Sequence, residues 1–263
     1  MSRAQPPPAV LQAFGVRGPA RPLDGGQGTS WAVADLVLKP GGGPLHAWLA
    51  GVLADVTVDS FRLAEPVPTR DGAWEVAGWS ATRWVPGRAP DTATAPKWRE
   101  VLAAGRAFHR AVAHLDRPGF LDARQDRWAR ADRAAWGERD IRYRPEFAAV
   151  AQRLQGVLEP LGRSQLVHAD LTNNVLFAAG YPPAVIDISP YWRPPAYAEG
   201  VVVADALCWH GAPASLPETV DVSVPAVARA LLFRMATTNE RAEGADLRDE
   251  ARRYGLAAEA IGL

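Results

Sequence analysis

The sequence predicts an α+β chain in two parts: a small antiparallel sheet carrying one helix over residues 1–87, and a larger, mainly helical region over 88–263. Three observations predict it. Up to Pro86-Gly87 the apolar residues come in short β-like runs broken by Gly and Pro, and beyond it they recur at helical spacing over longer stretches. Inside the helical region, three short β-like runs at 166–168, 175–177 and 184–186 form a strand-rich island.

In chain order, Trp31 to Ala34 and Leu36 to Lys39 read as a hairpin turning at Asp35, although the alanines make the first arm a weak strand. Lys39-Pro40-Gly41-Gly42-Gly43-Pro44 breaks the chain, and Leu45 to Leu53 has helical spacing. Val56 to Val67 and Trp74 to Val85 supply two or three more strands. Lys97 to Leu115 sets Val101, Leu102, Gly105, Phe108 and Val112 along one stripe, as a helix buried on one side requires. Asp122 to Arg144 is rich in Arg and Trp, and Glu146 to Leu158 resumes a 3.6-residue period. After the island, Val201 to His210, Pro225 to Asn239 and Asp246 to Ile261 read as helices.

Composition bounds the function. Twenty-nine Lys+Arg balance twenty-nine Asp+Glu, so no global field draws the chain onto nucleic acid or an anionic membrane, and neither is expected as a partner. One cysteine, Cys208, excludes an intrachain disulfide and any multi-cysteine zinc cluster, which fits a reducing compartment. The first residues lack the apolar stretch of a secretory signal, and no run reaches the roughly 18 apolar residues of a membrane helix. The expectation is a cytoplasmic protein. Val201 to Leu207, a long apolar run, is interrupted by Asp205.

The chemistry concentrates in LVHADLTNNVLF and AVIDISPYWRPP. His168, Asp170, Asn173 and Asn174 share one connection between β-like runs, and Asp187 follows a third run. Polar groups gathered at strand ends are more often functional than structural. One carboxylate can orient or deprotonate a hydroxyl while an amide oxygen and a second carboxylate hold Mg²⁺, a hard ion that bridges phosphates. A self-bonded Asx turn explains the same residues.

His168-Ala169-Asp170 to Asn174-Val175-Leu176-Phe177, followed by Val185-Ile186-Asp187, resembles the aminoglycoside phosphotransferase-like family of the protein-kinase-like superfamily. HADLTNNVLF with IDISPYWRP is more closely similar to a chiefly actinobacterial family within it. The resemblance implies a bilobal kinase-like fold, residues 1–87 as nucleotide lobe and 88–263 as catalytic lobe, and an ATP- and Mg²⁺-dependent transfer of phosphate to a hydroxyl of a small molecule. It makes Asp170 the catalytic carboxylate, Asn174 and Asp187 the metal ligands, and His168 a structural histidine. His109 matches a helix histidine of the family, read as packing. Kinases usually place the Asn five residues after the Asp; here Asn174 is four after Asp170, and Asn173 is the alternative.

The N-terminal glycine cluster, with Gly25, Gly26, Gly28, Thr29 and Ser30, precedes Lys39. Glycines let backbone N–H groups approach phosphate and a Lys ammonium pairs with it, which makes these residues nucleotide-binding candidates; an ordinary hairpin turn reads the same way. Arg83 and Val85, before Pro86-Gly87, resemble the lobe connection whose backbone reads a purine. Kinases pair the lysine with a Glu on the next helix, yet Leu45 to Leu53 holds no acid. That absence and the short loop keep open a second reading, a catalytically inactive kinase-like module that binds nucleotide or a metabolite. In Asp122 to Arg144, seven Arg face five acids, with Asp126 and Arg130 at i,i+4, so an ion-paired solvated face is expected there rather than a substrate-binding insert. Asp205 is expected to anchor the catalytic loop, and the aromatics of Ser189 to Pro195 to line an acceptor pocket.

Overall fold

The computed structural model describes residues 4–23, 28–53, 56, 60–90, 95–241 and 244–263. Its chain forms two compact units, residues 1–88 with 176–187, and residues 89–175 with 188–263.

The first unit is built on a five-stranded antiparallel sheet. Its strands are β1 (Arg21–Pro22), β2 (Trp31–Val33), β3 (Leu36–Pro40), β5 (Pro66–Val67) and β6 (Trp79–Arg83), in the order β1-β2-β3-β6-β5. The hairpin around Asp35 pairs Trp31 with Leu38 and Val33 with Leu36, and Ala34 takes φ +51° in its turn. Alternation along β3 buries Leu36 and Leu38, which join Trp31, Val33, Trp79 and Ala81 in one apolar cluster. Val10 and Phe14 close that cluster from α1 (Pro8–Ala13) and the residue after it. The Pro6-Pro7-Pro8 tract therefore starts a helix, with proline at the first turn where no N–H is needed. The segment 176–187 joins this unit through β4 (Arg62–Leu63), which runs parallel to β9 (Ala184–Val185), with β8 (Val175–Leu176) at the sheet's edge. Thus β9 delivers Asp187 to the first unit.

The second unit is helical around a two-stranded ribbon. Its long helices are α3 (Ala95–Ala111), α6 (Pro145–Gln155), α7 (Pro195–Trp209), α9 (Val224–Asn239) and α10 (Arg248–Glu259), with the shorter α4 (Phe120–Ala123), α5 (Arg127–Ala135) and α8 (Leu216–Val220). Helices α7 and α9 are buried on nearly all sides, as helices at a domain centre are. They touch backbone to backbone: a Cβ at Gly200 would stand 2.3 Å from the Ala226 carbonyl oxygen. Strand β7 (Gln165–His168) pairs with β10 (Pro190–Arg193), so the segment Ser189 to Pro195 contains a strand that the sequence pattern did not announce. Among the described residues no helix is long and apolar enough to cross a membrane.

Candidate active site

In the first unit Lys39, near the end of β3, forms an ion pair with Asp187 although 148 residues separate them. Asp187 sits at φ +48°, a left-handed backbone that a non-glycine residue adopts at a cost and that recurs at functional sites. Its carboxylate remains 45% exposed, open to a ligand.

Helix α2 (Gly43–Val52) follows Lys39 and carries no acid. Its start depends on Gly42 at φ +95°, where a Cβ would fall 2.9 Å from Ser80 Oγ, and Gly43 N–H donates to Glu75 Oε2 at 3.1 Å. A carboxylate at a helix N-terminus offsets the helix dipole. The α2 side chain that senses the Lys39–Asp187 pair is a histidine. His46 is buried, and burial together with the Lys39 charge lowers its pKa to about 4 against the opposing pull of Asp187. It is neutral at pH 7 and leaves the lysine to the aspartate.

Of the glycine cluster, Gly25 and Gly26 lie outside the described residues. Leu23 N–H donates to the Ser30 carbonyl at 3.0 Å, so the cluster spans the β1–β2 hairpin. Gly28 has φ +70°, and Thr29 is exposed. Arg83 spends its backbone N–H on the Glu65 carbonyl at 2.8 Å and its side chain on Asp35. Val85 lies just beyond β6, half-buried.

In the second unit the loop after β7 is organised by His168, which is fully buried. Its Nδ1 accepts from Asp170 N–H at 3.2 Å and from Ser189 N–H at 3.3 Å, while its backbone N–H donates to His109 Nε2 of α3 at 3.1 Å. Burial drives the His109 pKa down to about 3, with the neighbouring His168 acting in the same sense. Both histidines thus serve as wiring. Leu171 packs where Gly105 of α3 lacks a side chain: a Cβ there would meet Leu171 Cδ1 at 2.4 Å.

Asn174 bonds back to this loop. Its Nδ2 donates to the Asp170 carbonyl at 2.6 Å and lies 3.4 Å from Asp170 Oδ2. Asn173 occupies an exposed turn at φ +64°. With its amide nitrogen engaged, Asn174 keeps its side-chain oxygen as a donor. Asn174, in the second unit, and Asp187, in the first, each offer a hard oxygen of the kind Mg²⁺ takes. Among the described residues no group of three or more His, Cys, Asp or Glu is placed to hold a metal by itself.

Arg234 of α9, which the sequence reading missed, connects the loop to the core. Its Nη2 lies 3.1 Å from Asp170 Oδ1 and 2.5 Å from Asp205 Oδ2, and its Nε donates to Asp205 Oδ1 at 2.7 Å. Burial works against the Arg234 charge, but Asp205 and Asp170 outweigh it and raise its pKa. Asp205 reaches the 168–174 loop through this guanidinium. The signal was an acid in the apolar run of α7 with a base in the apolar run of α9.

The Arg-rich stretch holds one correction. Asp126 does not pair with Arg130; it caps α5, accepting from Trp128 and Ala129 N–H at 3.1 and 3.0 Å, and bonds Arg124. A cap geometry at the helix start turns its side chain toward the backbone. Arg130 instead bonds Glu240.

With this geometry in hand, the sequence proves to match the phosphotransferase enzyme family over residues 46–189, more than half of the chain. The chain belongs to that family. No curated protein matches the sequence. The fold is similar to an aminoglycoside phosphotransferase from Alicyclobacillus acidocaldarius (TM-score 0.63, 16% identity, covering 100% of this chain and 95% of that one). It is also similar to a spectinomycin phosphotransferase solved with ADP and spectinomycin (0.56, 15%, 97% and 95%). A choline/ethanolamine kinase family protein from Mesorhizobium loti compares equally well (0.56, 18%, 97% and 91%). The phosphotransferase fold expected from the two motifs, α+β with an N-terminal antiparallel sheet and a helical remainder, is the fold observed. The family match starts at His46 and ends at Ser189, so it includes the 168–174 loop and Asp187 and leaves Lys39 to be argued from its contact alone.

Proposed function

We propose that this member of the phosphotransferase family transfers the terminal phosphoryl group of ATP, with Mg²⁺, to a hydroxyl of a small molecule in the cytoplasm. The observation that carries the reading is the Lys39–Asp187 pair, in which a strand lysine meets the aspartate that closes the second motif. The pair is partly exposed, and each partner is a group that phosphoryl transfer uses. Residues 1–87, to which 176–187 add, form the nucleotide lobe and the rest of 88–263 the catalytic lobe, with the kinship to the actinobacterial group resting on HADLTNNVLF and IDISPYWRP.

The roles are those that the family resemblance implies. Lys39, with N–H groups of Gly25, Gly26, Gly28, Thr29 and Ser30, receives the phosphates, and the backbone at Arg83 and Val85 reads the purine. Asn174 and Asp187 would hold Mg²⁺, which when bound neutralises charge on the phosphates. Asp170, fixed by Arg234 on Oδ1, orients the acceptor hydroxyl and takes its proton. Catalysis of this kind is mostly positioning and electrostatic stabilisation. The solved spectinomycin phosphotransferase with ADP supports the choice of an adenine nucleotide.

Thermal unfolding with ATP and Mg²⁺, singly and together, tests the reading. Stabilisation that needs both and vanishes in Asp187→Ala supports it. Stabilisation by nucleotide without metal, or by neither, points to the inactive binding module that the acid-free α2 keeps in view. A screen of metabolites for ATP consumption, with Asp187→Ala as control, then names the acceptor.

A further inference from the structure

We propose that a cavity in the second unit, between α4, α5 and β10, is an acceptor subsite for the carboxylate or phosphate-ester group of a small hydroxylated molecule, bound by Arg117 and Arg133. The inference rests on the phosphotransferase reading and narrows its substrate class.

The cavity has a volume of about 200 Å³, below the roughly 300 Å³ at which pockets for drug-sized ligands begin. It holds a fragment the size of a sugar ring rather than a whole aminoglycoside. Leu121 and the aromatic pair Tyr191 and Trp192 give it an apolar face. Four guanidiniums and three carboxylates complete the wall, and their pairing decides its sign.

The acids are occupied. Arg193 bonds both Asp132 and Glu138, with Nη2 at 2.7 and 2.8 Å, and so uses up two of the three. Arg124 is engaged by Asp126 and by the Pro190 carbonyl. The third wall acid, Asp122, pairs with Arg117, but both side chains are exposed, 67% and 45%, and such pairs exchange readily with solvent or ligand. Arg133 donates only to the Arg124 carbonyl at 3.0 Å and to Gln125 Oε1 at 3.5 Å, and among the described residues it makes no salt bridge. Exchange of that pair frees Asp122 together with Arg117, so the excess on the wall is one cation, Arg133, and a guanidinium recognises carboxylate and phosphate alike. A polycationic acceptor meets like charge there. Pro190 on the cavity wall stands opposite His168 in the β7–β10 register, two residues before Asp170, so the subsite borders the catalytic loop.

Calorimetric titration of the full chain decides the matter, using D-glycerate, sn-glycerol 3-phosphate, glycerol and kanamycin as probes. The proposal expects one of the two anions to bind, its identity separating carboxylate from phosphate ester, and glycerol and kanamycin to bind at least tenfold more weakly. Arg117→Gln with Arg133→Gln should weaken the anion by about a hundredfold or more, the loss of two charge-assisted hydrogen bonds. Arg117→Lys with Arg133→Lys, which keeps the charge and loses the planar fork, should weaken the anion less than the Gln pair does, and Lys39→Met should leave it unchanged. Unaltered affinity in the double Gln variant, loss in Lys39→Met, tighter binding of kanamycin, or no anion binding at millimolar concentration each overturns the subsite. The nucleotide reading stands or falls separately on the thermal shift with ATP and Mg²⁺.

Discussion

Arg234 Nη2 lies 3.1 Å from Asp170 Oδ1 while the rest of its guanidinium clasps Asp205, so the helical core sets where the candidate catalytic carboxylate stands. Asp205 is buried, and burial pushes its carboxyl pKa upward against the pull of Arg234. Arg234→Met leaves that acid without its counter-charge and should lower the unfolding free energy by about 3–5 kcal/mol, read from urea denaturation. Adding Asp205→Leu should recover most of the loss, since two apolar groups of similar volume replace the buried pair. A double variant no more stable than Arg234→Met would show that the pair is not the cause.

The same core depends on Gly200. A Cβ there meets the Ala226 carbonyl oxygen at 2.3 Å and its carbon at 2.5 Å, which are backbone atoms that cannot swing aside. Gly200→Ala should cost about 3 kcal/mol, near the upper end of overpacking. Gly255, within α10, has nothing within 4 Å of its added Cβ, and Gly255→Ala should instead stabilise by about 0.5–1 kcal/mol. Opposite signs for the two glycines, measured by thermal unfolding, check the contact.

Local patterns carried the reading where a residue's partner lies close in sequence. Alternation in Leu36 to Lys39 and the turn at Asp35 announced the β2–β3 hairpin, and the stripe from Val101 to Val112 announced α3. The motif HADLTNN announced a loop whose cohesion is short-range, through His168 Nδ1 to Asp170 and Asn174 to Asp170. Long-range partners were opaque. Strand β10 is hidden because prolines bracket it and its pairing partner β7 comes more than twenty residues earlier. Arg234 looked like an ordinary helix cation until α7 and α9 met, and the absent acid of α2 gave no hint that Lys39 would turn to Asp187.

Stability should fall as the medium is acidified below neutrality. The pKa of His109 is lowered by burial to about 3, against an ordinary 6.5, so the unfolded chain takes up the proton first. Its contribution is intact above pH 6.5 and is lost as pH falls from 6.5 toward 3, at about 1.4 kcal/mol per unit. His46, lowered to about 4, acts in the same direction over a narrower window. Urea titrations at pH 7, 5.5 and 4.5 should give a steep decline in wild type and a shallower one in His109→Gln. Parallel slopes would mean that His109 is not held neutral.

Asp170→Asn keeps the shape of the loop and removes a proton acceptor. If Asp170 accepts the hydroxyl proton, turnover with the acceptor found by the screen should drop by about 10²-fold to 10⁴-fold. Binding of ATP with Mg²⁺, followed by thermal shift, should persist, because Lys39 and Asp187 are untouched. Full turnover in Asp170→Asn removes it from the proton-accepting role.

Lys39→Met separates nucleotide binding from folding. The Lys39–Asp187 pair is partly solvated, with side chains 24% and 45% exposed, and ion pairs of that kind contribute under about 1 kcal/mol. The variant should unfold within a few degrees of wild type in the absence of ligand. It should nevertheless lose the stabilisation that ATP and Mg²⁺ give, because the ammonium that meets the phosphates is gone while Asp187 remains. A variant that unfolds far earlier without ligand would make the pair a structural tie; one that keeps the full shift with ATP and Mg²⁺ would place the phosphates elsewhere.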